Sequence, residues 1–182
     1  MISRLFDTIT RRRLPHPKKL AHAKNSTLVM TALFTVLPEA VDTIRADSKS
    51  AILEKLAERF AAAYGLDRAT VLDRIEEREK LGSTGFGRGV AIPHARIDGL
   101  TSPVVAFLRL AAPVEFYAAD GMPVDLVFGL LSPDHAGAAH LHALAAISRM
   151  MRDERMHTAL LQAPNAEALY GLLSNVIDRD AA

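Results

Sequence analysis

Apolar positions along this chain change their spacing twice. From Thr31 the sequence becomes regular, and "DSKSAILEKLAERFAAAYG" (47–65) sets Ile52, Leu56 and Phe60 four residues apart, with Leu53 and Ala57 beside them. That period predicts an amphipathic helix, with Asp47 or Ser48 to cap its start and Gly65 to stop it. "DRATVLDRIEEREKLGS" (67–83) predicts a second helix, opened by Asp67 and ended near Gly82. The period then shortens. "GVAIPHA" (89–95), "SPVVAFLRL" (102–110) and "PVDLVFGLL" (123–131) are short, β-branched and bounded by Gly, Pro or Ser, which predicts strands. "AGAAHLHALAAISRMMRD" (136–153) returns to helix, with Leu141, Leu144, Ser148 and Met151 on one face. "ERMHTALLQA" and "NAEALYGLLSNVI" add two more helices. The order is helix, helix, strands, helices, which predicts an α/β fold with a small β-sheet sandwiched by α-helices. The hairpin-length gap "AAPVEF" (111–116) predicts a mixed sheet rather than an all-parallel one.

Residues 1–29 stand outside this pattern. "RRRLPHPKK" sets five cations around two prolines, which opposes compact packing. Arg4, Arg11, Arg12, Arg13, Lys18, Lys19 and Lys24 face Asp7 alone, so a basic leader precedes an acidic body, although the whole chain carries only +1. The expected organisation is a basic, disordered extension over 1–29 and one domain over 30–182; a start at Met30 fits the same pattern. A contact with a membrane surface or a nucleic acid is the alternative use of that charge. The 182 residues, 49% of them apolar, suffice for one buried core. With no cysteine, disulfides, thiolate nucleophiles and thiolate metal sites are excluded, and a cytoplasmic location is expected. No apolar run approaches the roughly 18 residues of a membrane span, and the leader lacks a signal-peptide core, so a membrane protein is not expected.

Seven histidines are the candidate chemistry. His16 and His22 fall in the leader, and His157 lies in a polar late helix with no evident partner. His94, His135, His140 and His142 remain. Residues two apart on a helix point about 200° from each other, so His140 and His142 cannot share a site. His140 aligns with Leu144 and Ile147, a buried stripe, and is the one expected to reach a site; the alternative is a half-buried histidine in the core. His94 follows Pro93 where a strand ends and a loop begins, a place suited to functional side chains. Upstream, "GSTGFGRG" offers backbone N–H groups that could surround an anion, although it lacks the lysine of a phosphate-binding P-loop. The plainer reading of Gly82, Gly85, Gly87 and Gly89 is turn-making. A metal held by His94, His140 and Asp134 is a weaker alternative, because no metal-binding histidine spacing is present. The Gly-x-Ser-x-Gly of serine hydrolases is absent.

"REKLGSTGFGRGVAIPHAR", "PVDLVFGLLSP", "AAHLHALAAISRMM" and "NAEALYGLL" together resemble enzyme IIA of the fructose/mannitol class of the bacterial phosphotransferase system, nearest its nitrogen-regulatory subtype. The resemblance runs from Leu33 to about Leu173. It implies the enzyme IIA fold, with His94 as phosphoacceptor, charged by the phosphohistidine of an HPr-like carrier. His140 would orient His94 or hydrogen-bond the phosphoryl oxygens, and Arg78 would offset phosphate charge. Ser83 and Thr84 would support the phosphate site. No metal or other cofactor is implied, and no nucleic acid is expected. The implied role is a signalling phosphocarrier acting on a regulated target protein. A IIA that feeds a separate IIB/IIC sugar permease, and a protein-binding module that no longer takes phosphate, are the alternatives. One position departs from the family: Ala95 stands where glycine usually follows the active histidine, which raises the question of whether φ > 0 is needed there.

Overall fold

The computed structural model describes residues 33–179; the leader and the expected boundary at residue 29 lie outside the described residues. The first described element is a strand over residues for which the sequence predicted no element. β1 (Thr35–Ile44) carries Pro38 and Glu39 in mid-strand, which hides the alternation that marks a strand. β1 pairs parallel with β5 (Val104–Val114), and its register slips between Val36 and Val41. Pro38 sits in that slip, where it has no N–H to give the ladder. The N–H of Leu37 donates instead to the Tyr64 hydroxyl (3.2 Å), which donates in turn to the Val105 carbonyl (2.7 Å).

Tyr64 closes α1 (Lys49–Tyr64). The Ser48 hydroxyl accepts from the Ala51 N–H at its start, and Gly65 (φ 68) ends it in the left-handed region. α2 (Arg68–Lys80) is capped by Asp67, which accepts from the Thr70 N–H. β2 (Gly85–Gly87) and β3 (Val90–Ala91) form a hairpin through Arg88 and Gly89, both at positive φ (57 and 77). That is the geometry a two-residue turn needs to follow strand twist.

β6 (Val124–Pro133) runs antiparallel to β5. Along its other side lie two short parallel pieces in succession, β3 and then β4 (His94–Ile97). The sheet order is β1-β5-β6-β3-β2, with β4 also on β6, so the sheet is mixed as expected. α3 (Ala138–Met150), α4 (Glu154–Gln162) and α5 (Ala166–Arg179) follow. Alternation along β5 divides the core: Val105 and Phe107 pack with α3, α4 and α5, while Val104, Ala106 and Leu108 pack with α1 and α2. The fold is therefore the expected sandwich.

On α3 the apolar face differs from the predicted one. Ala143, Ala146, Ile147 and Met150 are buried, whereas Leu141 is 63% exposed. Small alanines let the helix lie close to the sheet, so the large leucine was a poor guide to its inner side. Among the described residues, no helix is long and apolar enough to cross a membrane.

Candidate functional site

Pro93 makes the site possible. The strand predicted over 89–95 is two pieces, because Pro93 cannot continue the donor ladder. β3 stops at Ala91, and His94 opens β4 instead of following a strand end. The Ile92 carbonyl, freed at this break, lies 2.8 Å from His94 Nδ1. A carbonyl oxygen only accepts, so Nδ1 carries the proton. The other ring nitrogen, Nε2, accepts from the Arg78 Nε–H at 3.0 Å. His94 is thus neutral and fixed in one tautomer, with the Nε2 lone pair facing a guanidinium. Burial, more than the nearby Arg78 charge, holds its pKa below the ordinary 6.5; the Ile92 carbonyl and Glu79 pull the other way.

Arg78 stands in the last turn of α2, and its Nη1 also donates to the Gly82 carbonyl (3.0 Å). His140, in the first turn of α3, is 6% exposed. Its ring centre lies 5.4 Å from that of His94, with the planes 54° apart. His140 Nδ1 is 2.9 Å from Ser132 Oγ on β6. Burial first, then the positive charges around it, push the His140 pKa down to about 4. His94, His140 and Arg78 share a cleft of about 420 Å³ with Arg74, Glu77, Leu81, Ala95, Arg96 and Asp134. A second hollow of about 260 Å³ lies against His94, walled by Phe86, Ile92 and Leu144 among others.

Ser83 and Thr84 stand beside the site with their hydroxyls already engaged. Ser83 Oγ donates to the Phe116 carbonyl (2.8 Å) and accepts from the Gly85 N–H (3.1 Å). Thr84 Oγ1 donates to Glu79 Oε2 (2.6 Å), and its N–H to Glu79 Oε1 (2.8 Å). Lys49 completes this knot at 2.6 Å from Glu79 Oε1. The knot fixes the loop whose Gly82 carbonyl holds Arg78.

The glycines further along this loop serve the hairpin. Its Arg88 N–H binds the Asp120 carboxylate at 2.7 Å. At Gly85 a Cβ would fall 2.6 Å from Ala118 Cα, so close backbone approach requires glycine there.

Ala95 sits in extended β4, paired with Leu131 and buried against the α1–α2 side of the core. Its φ is not positive, so alanine meets no strain at that position. His142 and His135 are exposed, and neither lines the cleft. His157 does have a partner, contrary to expectation: Asp125 Oδ1 lies 3.4 Å from its Nε2. Burial pushes the Asp125 pKa up. Although Asp134 shares the cleft with both histidines, no group of three or more potential ligands converges on one point among the described residues.

Residues 38–176 match the family described as "Phosphoenolpyruvate-dependent sugar phosphotransferase system, EIIA 2". The chain belongs to this family. Within the family its resemblance is to nitrogen-regulatory proteins. It is 46% identical over 130 residues to a "Nitrogen regulatory protein" of Pseudomonas aeruginosa, covering 71% of this chain and 84% of that one. The counterpart in Bradyrhizobium diazoefficiens is 42% identical over 140 residues, with 76% and 92% covered. Among solved structures, the nitrogen regulatory protein IIA-Ntr of Neisseria meningitidis superposes with a TM-score of 0.71 at 34% identity, covering 76% and 95% of the two chains. The mannitol IIA of Escherichia coli shares the fold, with a TM-score of 0.62 at 20% identity over 74% and 96%.

Four residues in or beside this candidate site escaped the sequence reading. Glu79 and Lys49 left no local signal, because their meeting depends on α1 packing against α2. Arg96, whose Nη1 donates to the Asp134 carbonyl at 2.9 Å, does stand two positions after His94. Ser132 was visible as the single hydroxyl in the apolar run "LVFGLLSP".

Proposed function

We propose that this protein is a phosphocarrier of the nitrogen-related phosphotransferase system, charged on His94 Nε2 by an HPr-like phosphohistidine protein and acting on a regulated target. The observation that carries the reading is the Nε2 lone pair, fixed by Ile92 on the far side of the ring and set beside Arg78 in an open cleft. In the transfer, Nε2 attacks phosphorus in line. The P–N bond to the carrier breaks, and its electron pair leaves with the carrier's imidazole, which is protonated on its other nitrogen and departs neutral. His94 keeps its Nδ1 proton against Ile92. Arg78 passes from the lone pair to the phosphoryl oxygens, and His140 hydrogen-bonds them from the other side. Ser83 and Thr84 support the phosphate indirectly, by holding the loop that steadies Arg78. A neutral His94 suits this task, since a protonated ring would have no lone pair to give.

Intact mass after mixing with a phosphorylated HPr-like carrier tests the reading. The expected result is one acid-labile phosphoryl group on the wild type, none on His94→Ala, and slow uptake by His140→Ala. No transfer from any cognate carrier would overturn it and leave a protein-binding role, although Ala95 no longer argues for one. A IIA that feeds a sugar permease has its own support. A fructose-specific EIIA component of Haloferax volcanii is 38% identical over 112 residues. A specific loss of sugar uptake on gene deletion would favour that role over pure regulation.

A further inference from the structure

We infer that Ser132 is a positioning residue for phosphoryl transfer: its hydroxyl donates to His140 Nδ1 and so locks His140 as the Nε2–H tautomer, with a hydrogen-bond donor aimed into the cleft. The inference rests on the phosphocarrier reading above and deepens it. Ser132 is fully buried in β6, and His140 is nearly so. Their 2.9 Å contact is the sole side-chain hydrogen bond of either residue among the described residues.

Two proton arrangements are conceivable across that contact. If His140 Nδ1–H donated to Ser132, the serine proton would have no acceptor in a dry place, which is costly. His140 would then turn a bare lone pair toward the cleft, where it would repel phosphoryl oxygens. If Ser132 donates, every proton of the pair is placed, and the cleft receives an N–H. His140 is a neutral ring, so its tautomer alone decides whether it attracts or repels an oxyanion. A serine in the second layer thus sets the polarity of a histidine in the first, as outer-layer partners of functional histidines commonly do.

The test compares wild type, Ser132→Ala and Ser132→Thr. Long-range 15N–1H spectra at pH 7 read the His140 tautomer directly, and intact mass against time reads transfer from the phosphorylated carrier. The expected wild-type spectrum shows His140 with its proton on Nε2. Ser132→Ala should show mixed tautomers and a transfer rate lower by roughly tenfold, the worth of one hydrogen bond. Ser132→Thr, which keeps the hydroxyl, should restore both. An unchanged tautomer and rate in Ser132→Ala would overturn the inference, as would Nδ1–H in the wild type. If Ser132→Thr does not fold, the alanine spectrum alone decides. Should the wild type take no phosphoryl group, the phosphocarrier reading fails, while the tautomer spectra still judge the Ser132 lock.

Discussion

Arg78 holds the lone pair that the proposed reaction needs. Its Nε–H caps His94 Nε2, and its Nη1 grips Gly82, so the guanidinium spans both points at once. A lysine has one compact head and cannot reproduce that fork. Arg78→Ala is expected to slow phosphoryl uptake by about a hundredfold, and Arg78→Lys to recover only part of it, read by intact mass against time. The same neighbours set the acid limb. Both imidazoles are held below 6.5, His94 by burial and by Arg78, His140 chiefly by burial. Each should titrate below 6.5, and the His140 midpoint should fall near 4. An NMR titration checks this; a His94 midpoint at or above 6.5 would contradict the geometry.

Among the elements, the slipped stretch of β1 depends on a single hydroxyl. Tyr64→Phe removes the acceptor for Leu37 N–H and the donor to Val105, so it should cost about 1–3 kcal/mol in urea unfolding. Gly85→Ala should loosen β2, since the new Cβ would collide with the backbone of Ala118. Faster amide exchange in residues 83–91, with α1 unchanged, would be the sign. These two places also mark what the sequence revealed and what it concealed. α1 and α2 were legible down to their caps, because their spacing and capping residues are local. β5 and β6 were legible as apolar runs. β1 was hidden because Pro38 and Glu39 interrupt it and its regularity comes from pairing with β5, sixty-odd residues later. The break at Pro93 could be read only as the end of a strand, since the parallel resumption at His94 depends on β6. His94 and His140 were singled out from the residues and Arg78 through the family resemblance, whereas the meeting of Glu79, Lys49 and Thr84 was not foreseen, since it is assembled only when two helices and a loop meet.

For the whole molecule, the depressed histidines become a stability effect. Below about pH 6.5, and down to about pH 4 for His140, the unfolded chain binds protons that the folded His94 and His140 rings refuse. Their contribution is therefore complete above pH 6.5, falls as pH drops through that window, and levels off below it. Asp125, pushed up by burial, works in the opposite sense, so the clean measure is a comparison. The loss of urea-unfolding free energy from pH 7.5 to 5 should be shallower in His140→Gln than in wild type, by an amount on the order of 1 kcal/mol. A wider consequence lies in where the three site residues originate. Arg78 belongs to the helices on one face of the sheet, His140 to those on the other, and His94 to a strand between them. A half-assembled chain would hold at most two of the three. In the proposed relay, the fold would therefore proofread its own component: an unfinished copy would never be charged, and would send no message.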